Sequence, residues 1–116
     1  MRSVTAVVLD VCCVMAFVVI GRAGHSEGET IAGLAKTAWP FLSALLIGWA
    51  VTRAWRRPAA LAGTGVGIWL ITVAAGMAMR VVSGQGTALT FILVALVFLG
   101  LAFLGWRAVA HRRMAV

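Results

Sequence analysis

The chain has 116 residues, of which 63% are hydrophobic and 11% are charged, and its formal net charge is +7. Ordinary soluble domains carry about 25% charged residues, and a chain this short cannot hide so much apolar surface from water, so lipid is expected to be its main solvent. The basic residues cluster at the ends of apolar runs, which disfavours a nucleic-acid interface and is typical of residues that set membrane orientation.

Four apolar segments follow one another along the chain. Each has about 17–22 residues, close to the ~20 that a helix needs to cross a hydrocarbon core of ~30 Å. They cover approximately residues 4–21, 39–55, 61–82 and 88–106. Because lipid offers no partner to unpaired backbone groups, the segments are predicted to be helices. The predicted fold is therefore all-α, a single integral membrane four-helix bundle over residues 1–116.

The three predicted connections differ in character. In the first, residues 24–29 are predicted to form a loop and residues 30–37 an interfacial helical turn that leads to Pro40. In the second, Pro58 stops the preceding helix because it has no N–H and a fixed φ. The third, residues 83–87, is predicted to be a tight turn. The residues from Arg107 onward are predicted to form a basic tail on the anionic inner leaflet.

Orientation follows from the distribution of Lys and Arg. Four spans place both termini and the second connection on one side, which carries seven basic residues against three on the other. The seven are Arg2, Arg53, Arg56, Arg57, Arg107, Arg112 and Arg113, and the three are Arg22, Lys36 and Arg80. Because positive residues are in excess on the cytoplasmic side, the protein is predicted to lie in the cell membrane with its N and C termini cytoplasmic.

Asp10 stands inside the first apolar segment. An aspartate at the centre of a membrane helix costs roughly 2.5–3.5 kcal/mol on insertion scales, so ionisable residues there are functional candidates by default. By the helical rise it lies roughly 9 Å from the inner boundary, whereas Arg80 lies roughly 28 Å up and is too far away to pair with it. Three interpretations stay open, namely an ion pair with Arg53 or Arg107, a proton- or cation-coupling role, and a snorkelling side chain.

The same depth count places aromatic and small residues level with Asp10. Trp49 and Trp69 are predicted to line a substrate site beside the carboxylate through cation–π contact. Small residues let helices approach closely, so four glycines are predicted to mediate helix packing. They are Gly48, Gly67, Gly76 and Gly100.

A second polar group is predicted at the opposite end of the bundle. Thr72 and Arg80 share one face of the third span, eight residues apart, and with Arg22 and Gln85 they are predicted to form an outer entrance that attracts anions. The alternative is that Arg22 and Arg80 snorkel to lipid headgroups. His25, with acidic residues nearby, has a spacing too loose for a metal site, and neither a metal nor another cofactor is predicted.

At these positions the chain resembles a family of small four-span bacterial and archaeal membrane proteins, which is called domain of unknown function 3054. The resemblance covers nearly the whole chain. The matching positions are Asp10, Gly21-Arg22, His25-Ser26-Glu27-Gly28, Ala38-Trp39-Pro40-Phe41, Gly48-Trp49, Trp69, Thr72, Gly76, Arg80 and Gly84-Gln85-Gly86-Thr87. The resemblance implies a multi-pass membrane protein, and it brings no catalytic or binding residue with it.

The chain also has a looser likeness to small multidrug-resistance transporters. Those proteins are about as long, have four spans and carry one coupling carboxylate in the first helix, where this chain has Asp10. Trp39-Pro40 is similar to a Trp-Pro pair after their first loop. Two departures limit the likeness to architecture, because the acid here is Asp rather than Glu and the charge bias opposes dual topology.

Two functions are compatible with these features. The preferred hypothesis is a transporter or permeation protein for a small solute or ion, acting as a homo-oligomer with Asp10 as the coupling carboxylate. The alternative is a non-catalytic accessory or assembly subunit that binds another membrane protein. An enzyme is not predicted, because no nucleophile–base pair is present and the two histidines, His25 and His111, fall on opposite sides of the membrane.

Overall fold

The computed structural model describes residues 2–23 and 31–115, and all regular structure in these two ranges is helical. The four main helices are α1 (Ser3–Ala23), α2 (Ile31–Thr52), α3 (Val66–Val82) and α4 (Leu89–Ala115). A 3-10 turn, Ala54–Arg56, follows α2, and a π-helical turn, Leu61–Gly65, leads directly into α3. The prediction of an all-α chain is confirmed.

The helices form a ring in which each packs against two neighbours. Helix α1 contacts α2 and α4, and α3 contacts α2 and α4, with the most extensive contact between α2 and α3. The body measures 45 × 24 × 24 Å. Large apolar side chains such as Val4, Leu46 and Leu101 lie exposed on its outside. Four helical segments are long and apolar enough to cross a membrane, as predicted.

A cluster of phenylalanines fills the bundle between α1, α2 and α4. Phe17 packs edge-on against Phe41 with ring centroids 5.2 Å apart, and Phe91 contacts both rings at 5.7 and 6.0 Å. Such edge and tilted contacts each add about 0.5–1.5 kcal/mol to the burial of the rings. Phe41 is completely buried, so its ring has little room to move when a neighbouring residue is replaced by a larger one.

Helix α2 begins at Ile31, earlier than the predicted start at residue 39, and it continues through Pro40. A proline inside a helix leaves the carbonyl four residues earlier without its donor, which here is the carbonyl of Lys36. The side-chain Nε2 of Gln85, from the connection between α3 and α4, donates to that carbonyl at 3.0 Å. A distant residue thus restores the bond that Pro40 cannot make, and the predicted interfacial turn is part of the helix.

The ends of α2 and α4 also differ from the predicted limits. Helix α2 ends at Thr52, before the predicted residue 55, because Arg53 adopts a left-handed conformation with φ 52° and ψ 50°. A residue of this kind commonly closes a helix. Helix α4 continues to Ala115, well past the predicted residue 106. Arg107, predicted to begin a basic tail, therefore belongs to the helix and is buried in the bundle.

Candidate functional site

Asp10 of α1 and Arg107 of α4 form a buried ion pair. Both side chains have 0% exposure. The pair is bidentate, since Nη1 of Arg107 donates to Oδ1 of Asp10 at 2.9 Å and Nη2 donates to Oδ2 at 2.7 Å. This fork matches the planar carboxylate and is the strongest common form of charge-assisted hydrogen bonding.

Two tryptophans complete the surroundings of the carboxylate. Nε1 of Trp49, on α2, donates to Oδ2 of Asp10 at 2.8 Å, and Nε1 of Trp106, on α4, donates to Oδ1 at 2.9 Å. Each carboxylate oxygen therefore accepts two hydrogen bonds. An ionised carboxylate offers about four acceptor positions, so all acceptor positions of Asp10 are occupied. Its single side chain joins α1, α2 and α4.

Arg107 is fixed by further contacts of its own. Its Nε donates to the carbonyl of Pro58 at 3.0 Å, and Nη1 also contacts the carbonyl of Phe103 at 3.2 Å. Its guanidinium carbon lies 4.3 Å from the ring centroid of Trp106, within the range of a cation–π contact. The pair thus extends to the connection before α3, and we name Asp10, Arg107, Trp49, Trp106 and the carbonyl of Pro58 the Asp10 cluster.

Gly65 makes room for the stem of Arg107. Its N–H donates to the carbonyl of Ala60 at 2.9 Å, the wide i→i+5 bond of a π-helical turn. A Cβ at this position would lie 3.0 Å from Cδ of Arg107 and 2.9 Å from Cδ2 of Leu104. Both distances are closer than ordinary van der Waals contact, so the turn can approach α4 because residue 65 has no side chain.

The residues proposed to surround Asp10 separate into two groups. Trp49 contacts the carboxylate, and Arg107 rather than Arg53 is the pairing arginine, since Arg53 is exposed in the left-handed turn after α2. Trp69 is not part of the Asp10 cluster. Its Nε1 donates to the carbonyl of Leu96 at 2.8 Å, between α3 and α4. Trp49 and Trp69 were predicted at nearly the same depth, but only Trp49 reaches the carboxylate of Asp10.

The four glycines proposed for packing all lie at helix contacts. A Cβ at Gly48 would meet the backbone of Ile68 at 3.4 Å. At Gly67 it would lie 2.6 Å from Thr52, at Gly76 2.7 Å from the Phe41 ring, and at Gly100 2.9 Å from the Trp69 ring. Gly67, Gly76 and Gly100 therefore admit a neighbouring side chain more closely than alanine would, whereas an alanine at position 48 would make ordinary contact.

The proposed outer entrance is not one cluster. Arg80 donates to the carbonyl of Gly86 through Nε and Nη2, at 2.9 and 2.7 Å, and to Oε1 of Gln85 at 3.1 Å. Its guanidinium carbon lies 4.2 Å from the ring centroid of Phe91. Arg80 and Gln85 thus fasten the connection after α3 to α2 and α4. Thr72 lies fully buried within α3 instead, where its hydroxyl has no hydrogen-bond partner among the described residues.

The remaining proposed positions lie outside the described residues. Nothing is described of the side chain of Arg22, nor of residues 24–30, which include His25. In the ranges 2–23 and 31–115, no group of three or more His, Cys, Asp or Glu side chains is placed to hold a metal ion.

Three members or neighbours of the cluster were not proposed as site residues. Pro58 was predicted only to stop the preceding helix, and Trp106 and Gly65 are absent from the predicted site residues. Trp106 precedes Arg107 directly, so once Arg107 is taken as the partner of Asp10, the neighbouring indole N–H is a candidate second donor. No sequence pattern identifies the carbonyl of Pro58 as an acceptor, because that contact depends on how the connection folds back.

Fold and composition together define the class of protein. Four apolar helices long enough to cross a bilayer, with a charged pair shielded inside them, are consistent with a multi-pass helical membrane protein in contact with lipid. Residues 7–110 match the model of the family described as protein of unknown function (DUF3054). The chain belongs to this family, as the resemblance implied. No curated protein and no solved structure matches the chain significantly.

Removing either indole donor is expected to weaken the bundle. Trp49→Phe and Trp106→Phe each delete one hydrogen bond to a buried carboxylate, and a loss of about 1–2 kcal/mol in the free energy of unfolding is expected for each. Denaturant titration in mild detergent measures the loss. Trp39→Phe is the matched control, since Trp39 is 43% exposed. Equal losses in all three variants would contradict the assignment.

The role of Gln85 in supporting Pro40 is testable by a double-mutant cycle. Gln85→Leu removes the bond to the Lys36 carbonyl and also the acceptor of an Arg80 N–H, so the expected cost is at least about 0.5–1.5 kcal/mol, the usual net contribution of one hydrogen bond. In a Pro40→Ala background the loss is expected to be smaller, because the N–H of the alanine bonds the Lys36 carbonyl within α2. Denaturant titration of the four proteins gives the coupling. An equal loss in both backgrounds would show that the contact does not compensate for the proline.

Proposed function

We propose that this protein is a non-catalytic membrane subunit, a rigid bundle that binds another integral membrane protein through its lipid-facing surface. The observation that carries the proposal is the saturation of Asp10. Four donors from three side chains occupy both carboxylate oxygens, and neither Asp10 nor Arg107 is exposed. Such a carboxylate stabilises the arrangement of α1, α2 and α4 and supports a structural role.

A coupling role in transport has weaker support. A coupling carboxylate exchanges a proton or an ion with water during each cycle. For Asp10 to do so, the fork to Arg107 and the bonds from Trp49 and Trp106 would have to open together. Arg107 would then be left buried with its charge uncompensated, which is costly. Trp69, the other aromatic residue assigned to a substrate site, donates its single N–H to the backbone of α4 and not to the carboxylate.

The proposal includes an orientation with both termini in the cytoplasm, supported by the excess of Lys and Arg at the end where α1 begins and α4 ends. Single cysteines at two exposed positions test it in a background with Cys12 and Cys13 replaced by alanine. A membrane-impermeant maleimide is expected to label Ala88→Cys in intact cells and Arg57→Cys only after permeabilisation. The reverse pattern would invert the orientation.

Site-specific photocrosslinking tests the function itself. A photoreactive amino acid is placed at Val8, Leu46 or Val94, exposed positions on α1, α2 and α4, and the cells are illuminated intact. We expect one heterologous membrane protein, of constant mass, to be captured from one of these faces and not from all three.

Reconstitution provides the opposing outcome. Proteoliposomes of the purified chain are expected to show no proton flux above that of empty liposomes under an imposed pH gradient. Flux that Asp10→Asn abolishes while the protein stays folded would overturn the proposal in favour of transport. Adducts containing only a second copy of the chain would contradict the heterologous partner.

A further inference from the structure

An apolar groove runs along the outer surface between α3 and α4. Its volume is about 530 Å³, and its walls include Trp69 of α3 and Gly100, Leu101, Leu104 and Gly105 of α4. The one polar side-chain group in the lining, the indole N–H of Trp69, already donates to the carbonyl of Leu96. We call this feature the α3–α4 groove, and its lining offers a ligand only hydrocarbon contact.

Glycines create the groove. Gly105 is exposed, and a Cβ built there meets no other atom within 4 Å, so the surface of α4 is cut away at this position. At Gly100 the missing side chain lets the Trp69 ring lie against α4, with 2.9 Å between the ring and a constructed Cβ. The ring forms one wall, and the absent side chain of Gly105 leaves open space beside it.

The length of the groove matches one leaflet of a bilayer. Its lining on α4 extends from Leu96 to Ala108, which at 1.5 Å per residue is roughly 18 Å. Half of a hydrocarbon core of ~30 Å is ~15 Å. A lipid tail from one leaflet fits this extent. A helix of a second copy would normally contact α4 along the full thickness, beyond the groove.

One end of the groove is basic. The central stripe of its lining on α4 follows helical spacings of four, three and four, and it consists of Val97, Leu101, Leu104 and Ala108. The same spacing continues to His111 and Arg112, which are both exposed. The hydrocarbon-lined part thus leads to a positive charge and a ring N–H toward the C-terminal end of α4.

We propose that the α3–α4 groove binds an anionic phospholipid, with one acyl chain between Trp69 and Gly105 and the phosphate at Arg112 and His111. The apolar lining excludes polar solutes, the extent corresponds to one tail, and the basic end complements a negative headgroup. This site lies on the α3–α4 face of the bundle, apart from the Asp10 cluster, and its existence does not depend on the proposed protein partner.

Lipid retention by the purified chain tests the proposal. Delipidated protein in a mild detergent is mixed with phosphatidylglycerol or phosphatidylcholine of the same acyl chains, and bound lipid is counted by native mass spectrometry. One phosphatidylglycerol per chain is expected, retained at least about tenfold more strongly than phosphatidylcholine, which is a difference of about 1.4 kcal/mol. Equal retention of the two lipids overturns the anionic assignment.

Two pairs of variants locate the site. Gly105→Leu places a side chain in the groove, where an added Cβ meets nothing within 4 Å, and is expected to abolish retention of both lipids. Gly21→Leu, on α1, where an added Cβ also meets nothing within 4 Å, is expected to retain them. Arg112→Gln is expected to remove the preference for phosphatidylglycerol. Arg56→Gln, an exposed arginine in the turn beside the start of α1, is expected to keep it.

Other occupants give distinct results. If Gly105→Leu converts a dimer into a monomer and leaves lipid retention unchanged, the groove holds a second copy and the proposal is wrong. Circular dichroism and the melting temperature verify that each variant is folded, and Arg112→Gln tests the headgroup contact even if the groove variant fails to fold. Because no partner protein is present, failure here leaves the photocrosslinking result unaffected.

Discussion

Replacing Arg107 with glutamine is expected to destabilise the bundle by about 3–5 kcal/mol, the usual cost of breaking a buried ion pair on one side. The variant leaves the carboxylate of Asp10 buried with only the two indole donors. Glutamine still carries an N–H donor in the place of Nε, which bonds the carbonyl of Pro58, so the expected loss comes from the broken ion pair. Denaturant titration in mild detergent measures the effect.

The matched control for this prediction is Arg56→Gln. Arg56 is an exposed arginine in the turn after α2, and its replacement is expected to change the unfolding free energy little, because surface charges contribute little. An Arg107→Gln variant as stable as the Arg56→Gln variant would mean that Asp10 does not depend on its arginine.

The second large effect is expected at Gly76. In Gly76→Ala the added Cβ would lie 2.7 and 2.8 Å from two carbons of the Phe41 ring. Phe41 is fully buried and packed against Phe17 and Phe91, so α2 and α3 must separate to admit the methyl group. Overpacking of this kind costs about 1–3 kcal/mol.

The control for Gly76→Ala is the same substitution at Gly21. A Cβ there meets nothing within 4 Å, and glycine inside a helix is less favourable than alanine by roughly 0.5–1 kcal/mol. Gly21→Ala is therefore expected to leave stability unchanged or to raise it. A lower melting temperature for Gly76→Ala and an unchanged or higher one for Gly21→Ala are the expected result. A stable Gly76→Ala variant would contradict the close packing of α2 on α3.

The number and type of the helices were predictable because they depend on composition and length. Lipid-compatible runs separated by turns leave few other solutions once backbone groups must be satisfied internally. The ends of α4 were less predictable. A charged residue usually marks the end of a span, and Arg107 was interpreted in that way, but its charge is compensated by Asp10 inside the bundle.

The Asp10 cluster shows which contacts of a membrane site can be predicted from the helical rise per residue. Rise per residue placed Trp49 level with Asp10 and Arg107 just below it, and both contact it. The same count placed Trp69 there, but rotation about the helix axis turns its ring toward α4. The depth of a residue along its helix follows directly from its position in the sequence. The direction of its side chain depends on how neighbouring helices pack, and a single sequence does not give that packing.

Long-range contacts explain the other features of the structure that the sequence did not predict. The passage of α2 through Pro40 depends on Gln85, which is 49 residues from the carbonyl that it bonds. The burial of Arg107 depends on the carbonyl of Pro58 and on the missing side chain of Gly65. Local pattern gives each of these residues an ordinary role as a helix breaker or a turn residue, and only their tertiary partners change it.

The coupling energy between Asp10 and Arg107 tests the central claim most directly. The unfolding free energies of the wild type, Asp10→Asn, Arg107→Gln and the double variant form a double-mutant cycle. If Asp10 is a structural carboxylate, each single variant loses stability, and the double variant loses clearly less than the sum of the two losses. Additive losses, or an Asp10→Asn variant as stable as the wild type, would contradict that role and return Asp10 to candidacy as a coupling group.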